Sequence, residues 1–439
     1  MVTLIGSKAV YPFEGKEKEI SMTVETLTDD PAVVAMSMDG HQDTGAASAT
    51  ITREALVQSA RDMVPALRQR AQKAKEARCI PVETIEDFQR AGFFRILQPA
   101  KWGGLELDPQ TFFDVQLIVG AACPSSAWVL GVIAVHQWQL GVFSYQAQED
   151  VWNTNASALI SSSYMPVGKV THVEGGFRLS GRWGFSSGSA HCDWAFLGAF
   201  VPNKNPDRPP DMRTFLVPKS DYAIEDVWHV AGLKATGSND VVVEDAFVPE
   251  YRTHRFKDGY LCKNPGQEYN TGPLYRLPFG QIFVRSVSTP AIAMAQGALE
   301  TFIDIISKRK SRADNKSAVG DPKSHRICAD AAATIEEVKA VLYRNFDYMM
   351  EQAKADEAIP VERRIQFRND SCRAVSRCVD VVDQMITQCG GRAIFLDSPM
   401  QQYFQDIHAC RAHYANNPDN PLENMGRVML GMDNQDFFL

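Results

Sequence analysis

The sequence predicts an α+β fold, mostly α, in which a strand-rich middle separates two helical parts. Three observations predict it. Apolar residues recur at helical spacing before about residue 157 and again after about residue 283, and between them runs of alternating residues are punctuated by Gly, Pro and Asn. A length of 439 residues exceeds what one hydrophobic core serves, so several packed domains are expected.

Residues 1–51 mix charged, glycine-bearing and small residues without sustained periodicity and read as a mobile arm. Residues 52–157 form a helical domain: Leu56, Met63, Leu67 and Ala71 share one face, Pro65 bends the run, and residues 112–143 are one apolar, helix-rich stretch. Residues 158–275 form the β domain. Glu174-Gly175-Gly176 turns between residues 170–173 and 177–179, and residues 194–201, 214–217 and 240–248 are further strands. Residues 276–439 return to helical spacing. Leu299, Phe302, Ile303 and Ile306 make one stripe; Ile335, Val338, Leu342 and Phe346 a second; Val375, Val379, Val382 and Ile386 a third, stopped by Gly390-Gly391; residues 401–415 are a fourth helix. Four such helices read as an antiparallel bundle.

Composition narrows the function. Hydrophobic residues at 45%, charged residues at 22% and a net charge of −8 describe a soluble globular chain with no electrostatic case for nucleic acid. No apolar stretch approaches the roughly 20 residues that span a bilayer, and the first residues lack a secretory layout. Nine scattered cysteines without CxxC or Cys/His metal spacing fit a reducing cytoplasm. No GxGxxG follows a strand and opens a helix, so no dinucleotide site of that kind is expected.

Three segments carry a family resemblance. They are "FFRILQPAKWGGLELDP" (93–109) with "CPSSAWVLGVIAVHQWQLGVF" (123–143); "SSSYMPVGKV", "GRWGFSSGSAHCDWAFLG" and "VWHVAGLKATGSNDVVVEDAFVPEYR"; and "CGGRAIFLDSPMQQYFQDIHACRAH". The chain resembles the acyl-CoA dehydrogenase superfamily and, within it, the flavin hydroxylases represented by 3-hydroxy-9,10-secosteroid monooxygenases and 4-hydroxyphenylacetate 3-hydroxylases. The resemblance implies an N-terminal helical domain, a β-barrel-like middle domain and a C-terminal four-helix bundle. It also implies the oxygenase component of a two-component (group D) monooxygenase, active as a homotetramer. Reduced FMN or FAD would come from a separate NAD(P)H-dependent flavin reductase, and a flavin C4a-hydroperoxide formed with molecular oxygen would ortho-hydroxylate a small phenol.

Such chemistry needs a dry cavity and an acceptor for the proton on flavin nitrogen 5. The resemblance assigns that acceptor to Ser187, with Ser186 adjacent, although Ser-Ser-Gly-Ser is also ordinary turn chemistry. It places His408 at the reacting edge to activate the phenol; His413, one turn and one residue on, reads as a structural or surface histidine. His136 becomes a ligand of the substrate hydroxyl with Ser162 as partner; by itself, a histidine in an apolar run reads equally well as a hydrogen-bonded core residue. Ser162, Thr236 and Ser238 are assigned to the flavin, Tyr275 to the substrate, and Arg312 to the flavin of a neighbouring subunit. From Asp406 through Asn417 there is no glutamate to act as a thioester dehydrogenase base, which favours oxygen chemistry. Phe279-Gly280 follow Pro278 where arylacetate hydroxylases carry an arginine, which implies a neutral or bulky phenol. Two rivals stand beside this reading: a dehydrogenase or N/S-oxygenating relative of the same fold, and a non-catalytic binding scaffold.

Overall fold

In the computed structural model, residues 51–439 are described, except 204, 206, 208 and 311–316. The expected arm and Arg312 therefore lie outside the described residues.

Helix α1 (Arg53–Ala77) starts where the Thr52 side chain accepts from the Ala55 amide, and it continues through Pro65. After α2 (Val82–Arg90), the apolar, helix-rich stretch divides into α3 (Pro109–Ala122) and α4 (Pro124–Gly141). The break sits at Cys123, whose φ of −150° is extended because the following proline disfavours helical geometry before it. Every residue of α4 is buried, as expected of a helix apolar all round. A short α5 (Tyr145–Trp152) leads to the sheet.

Among the described residues the sheet has seven strands: β1 (Ile160–Val173), β2 (Gly176–Ser186), β3 (Trp194–Val201), β4 (Asp211–Pro218), β5 (Ala223–Glu225), β6 (Asn239–Pro249) and β7 (Thr253–Arg255). Their order is β5-β6-β2-β1-β3-β4-β7, with β1 and β3 parallel and all other neighbours antiparallel. The β1–β2 turn closes with Val173 opposite Gly176, and Gly175 takes φ +76°. Alternation along β3 splits two cores. Ala195, Leu197, Ala199 and Val201 face β2, β4 and β6 side chains, whereas Phe196 joins Leu140, Phe143 and Trp152 under α4 and α5.

A small α6 (Phe256–Leu261) precedes the four long helices: α7 (Phe279–Lys308), α8 (Pro322–Lys354), α9 (Val361–Cys389) and α10 (Pro399–Arg411). Gly390 stops α9 at φ +75°. Then comes α11 (Asp419–Met429). Helix α7 packs against α3 and α4 as well as α9, so the first helices and the bundle share one hydrophobic cluster. Ile303, expected in the α7 stripe, is instead 48% exposed.

Candidate functional site

Ser187 follows the last residue of β2, where the chain turns sharply. Phe185 adopts φ +63° and Gly188 φ +70°, and the Gly188 amide donates to the Thr236 carbonyl at 2.9 Å. A Cβ on Gly188 would lie 2.9 Å from Val129 Cγ1 of α4, so only glycine brings this turn so close to the helix. The Ser187 hydroxyl accepts the Trp128 indole N–H at 3.1 Å and lies 2.7 Å from Ser238 Oγ. Ser238 Oγ lies 2.7 Å from Thr236 Oγ1, which donates to the Leu233 carbonyl at 2.9 Å.

Proton bookkeeping along this row fixes its direction. Thr236 spends its proton on Leu233, so Ser238 donates to Thr236 and Ser187 donates to Ser238. With one lone pair taken by Trp128, Ser187 Oγ keeps one lone pair free. The loop carrying Thr236 and Ser238 is anchored on α10. Asp406 Oδ1 accepts the Leu233 amide at 2.6 Å, and a Cβ on Gly232 would lie 2.0 Å from the Gln405 carbonyl oxygen. Burial pushes the Asp406 carboxyl up to about 6, against the pull of the Leu233 amide. Sequence reasoning passed over both Trp128 and Asp406 as site residues. An indole in an apolar helix and an acid in an amphipathic one carry no local signal of such partners.

His136 projects from α4 toward β1 and is fully buried. Its Nδ1 lies 2.6 Å from the Ile160 carbonyl oxygen and therefore carries the proton, while Nε2 has no partner. Desolvation draws the pKa down to about 4, so near neutral pH Nε2 is an unoccupied acceptor in a dry setting. The edges of the His136 ring meet Tyr164 at 6.1 Å and Phe196 at 5.7 Å between centroids. Ile160, Ser162 and Tyr164 alternate onto one face of β1, which brings half-buried Ser162 to this side. The Tyr164 hydroxyl donates to the Gln139 side chain; burial raises its pKa strongly, opposed by hydrogen bonding to Ser162 and Gln139. Ser186 is fully buried and its hydroxyl is also without a partner.

The two histidines near the end of α10 stand in different settings. His408, the expected activating residue, is 37% exposed at its side chain, pairs with Asp383 of α9 at 2.9 Å and packs on Phe404 at 4.6 Å. His413, expected to be structural, lies beyond the helix end with its ring 5.3 Å from Trp128 and 6.3 Å from Phe283. The Ala415 amide donates to His413 Nδ1 at 3.1 Å, so the neutral ring bears its proton on Nε2. Packing draws its pKa down to about 4. Within the chain, then, the ring packed on Ser187's indole partner belongs to His413. Tyr275 also departs from expectation: it is fully buried, donates to the Leu97 carbonyl at 3.0 Å and stacks on Trp138, which leaves its hydroxyl committed to the core.

The site thus joins a free lone pair on Ser187, an unoccupied acceptor on His136 and a donor on His413, linked by the Trp128, Tyr164 and Phe283 rings. The family profile "Acyl-CoA dehydrogenase, C-terminal domain" matches residues 286–418. The chain is 39% identical over 371 residues to the flavin-dependent monooxygenase oxygenase subunit HsaA of Rhodococcus jostii, covering 84% of this chain and 97% of that one. It is 32% identical to the oxygenase component of the FADH(2)-dependent resorcinol hydroxylase of a Rhizobium species, covering 83% and 91%. The crystal structure of 3-HSA hydroxylase from Rhodococcus sp. RHA1 superposes with a TM-score of 0.84 at 38% identity, covering 88% of this chain and 98% of that one. The chain therefore belongs to the oxygenase components of two-component flavin-dependent monooxygenases, built on the acyl-CoA dehydrogenase fold.

Proposed function

We propose that the enzyme ortho-hydroxylates a phenol to a catechol and water, using reduced FMN or FAD released by an NAD(P)H-dependent reductase. Bound reduced flavin supplies two electrons and, with oxygen, the oxygen atom that is transferred. The residues present suit such a group: a serine acceptor with one lone pair to spare, a second buried serine hydroxyl without a partner, and a loop whose hydroxyls are already ordered. Ser187 would accept a hydrogen bond from the nitrogen 5 N–H of a bound reduced flavin, while Thr236 and Ser238 hold Ser187 in orientation. Burial of Trp128, Val129 and Ile133 excludes water around it.

The observation that carries the phenol reading is the unpartnered Nε2 of His136. A buried neutral acceptor is costly unless a ligand's donor fills it, and a phenolic O–H is such a donor. A hydrogen bond from the phenolic O–H to His136 Nε2 polarises the phenol and raises electron density at the ortho carbon, with Ser162 holding the phenol oxygen. His413, rather than His408, supplies the donor on the opposite side through Nε2–H. Arg276 is paired at 2.7 Å with Asp356, just beyond the end of α8, which supports a neutral phenol over a small phenolic acid. Exposed Ile394, Phe395, Leu396, Met429 and Leu430 support further copies packing around the bundle, as in a homotetramer.

The test supplies chemically reduced FMN or FAD, oxygen and a panel of neutral and acidic phenols. Catechol products are expected; stoichiometric peroxide with no hydroxylated product across the panel overturns the proposal.

A further inference from the structure

Residues 434–439 form an irregular segment that packs against the aromatic wall of the site. Polar ties hold the segment at its start. Asn424 Nδ2 donates to Asn434 Oδ1 at 2.8 Å, the Gln435 amide donates to Asn424 Oδ1 at 2.8 Å, and Asp436 Oδ1 accepts the Phe438 amide at 2.8 Å. Asp436 also lies 3.7 Å from Arg368, a guanidinium only 3% exposed. Arg368 in turn donates to the Ala415 carbonyl at 2.6 Å, and the Ala415 amide is the group that binds His413 Nδ1. The far end is held by packing. The Phe438 ring stacks on Phe256 at 5.6 Å and meets Phe279 and Phe283 edge-on at 5.7 and 5.5 Å. Leu439 is 1% exposed.

Those two α7 rings form the other side of the site: Phe279 and Phe283 contact Tyr164 at 5.6 and 5.3 Å, and Phe283 reaches His413. A cavity of about 310 Å³, its open mouth included, lies here between Gln139, His254, Phe256, Phe279, Phe438 and Leu439. Gln139 is the residue that receives the Tyr164 hydroxyl, so this space adjoins the phenol-binding face of β1. Most of that figure is open mouth, and the enclosed space is far below the roughly 300–1,000 Å³ of a small-ligand pocket. A substrate of more than one ring fits only if a wall moves. The walls from α7 and the sheet are fixed by the main cores, whereas residues 429–433 before the segment are largely exposed, with Met429 76% and Leu430 84% exposed.

We propose that residues 434–439 are a displaceable wall of the substrate pocket and that Phe438 is the side chain that sets how large a phenol is accepted. This rests on the phenol-hydroxylase reading. Removing the Phe438 ring joins the cavity to the space it vacates, so a multi-ring phenol gains contacts and a single-ring phenol loses a packing surface. Displacement also pulls Asp436 away from Arg368, which links substrate size to the hydrogen bond that orients His413.

The test compares wild type, Phe438→Leu, Phe438→Ala and the chain ended after residue 433, with 4-methylphenol and 4-cyclohexylphenol as probes. Product formation gives kcat/KM, and calorimetry on the flavin-free protein gives affinity. The ratio of kcat/KM for the larger phenol over the smaller should rise about 10-fold in Phe438→Ala, mostly through KM, and by less in Phe438→Leu. A ratio unchanged within twofold in all folded variants overturns the inference. If the wild type binds both phenols without converting either, the functional reading fails, and the calorimetric ratio still decides the wall. If it binds neither, both fall.

Discussion

On the proposed reading, two lone pairs and one N–H carry the chemistry at the scale of residues. Ser187 Oγ has a lone pair left because the row Ser187, Ser238, Thr236, Leu233 consumes its protons in one direction. His136 Nε2 has one because Nδ1–H is spent on Ile160. His413 Nε2 has its proton because Nδ1 accepts the Ala415 amide. Ser187 and His136 stand out in the sequence because each sits in a long motif. Which of His408 and His413 packs on Trp128 does not. Five residues along a helix amount to a rotation of roughly 500°, or about 140° off the same face, and α10 ends at Arg411 before the second is reached. Only tertiary packing reveals that the turn after the helix swings His413 onto Trp128. His413→Ala is therefore expected to lower hydroxylation at least 100-fold, the low end for a proton-handling group, and His408→Ala less than 5-fold. Product assays on folded variants check this, and the reverse order would restore the sequence assignment.

Elements hold these atoms in place mainly through close helix contacts. Gln116 of α3 donates to the Ala127 carbonyl of α4 at 3.0 Å and the Ser286 carbonyl of α7 at 2.6 Å, tying three helices together. Gly131 makes room for it: a Cβ there would lie 2.2 Å from Gln116 Nε2 and 2.7 Å from the Ser286 oxygen. Alanine favours a helix over glycine by about 1 kcal/mol. Overpacking costs about 1–3 kcal/mol, and stranding a buried amide about 1–3 kcal/mol more. The sum is unfavourable, so Gly131→Ala should destabilise by about 1–5 kcal/mol, read as a lower urea midpoint at constant slope. A stabilised variant would contradict this account of the helix crossing. Long elements were legible because their punctuation is strong: residues 194–201 and 240–248 were read nearly to their ends. Strands β5 and β7, three residues each, carry no pattern long enough to read, and Ile303 obeys the helical stripe yet faces outward. Periodicity reports a face, not what covers it.

The molecule as a whole joins its first helices and its bundle through one cluster, with α7 at the centre and the sheet leaning on α4. That burial makes it sensitive to acid. His136 and His254 are both buried, with pKa values drawn down to about 4 by desolvation. In the unfolded chain they titrate near 6.5. Their stabilising contribution is complete above that value and is lost as pH falls toward 4, because only the unfolded state takes up those protons. At up to about 3 kcal/mol each, the melting temperature should be flat from pH 8 to 7 and fall steadily from pH 6.5 to 4.5. His254→Asn should soften that fall, and an identical slope in the variant would show that His254 is not the source. The order of helices, sheet and bundle was legible in the sequence, and so was the family. The shared core was not, because nothing local in α3 or α7 names the other as its neighbour.

The central claim is that a shielded serine acceptor directs oxygen into the aromatic ring rather than into peroxide. The most direct measurement is a single turnover of reduced flavin, oxygen and an accepted phenol with Ser187→Ala, counting hydroxylated product and peroxide per flavin oxidised. Flavin should still be oxidised, with product falling at least 10-fold and peroxide making up the difference. Unchanged yield of product per flavin would contradict the account.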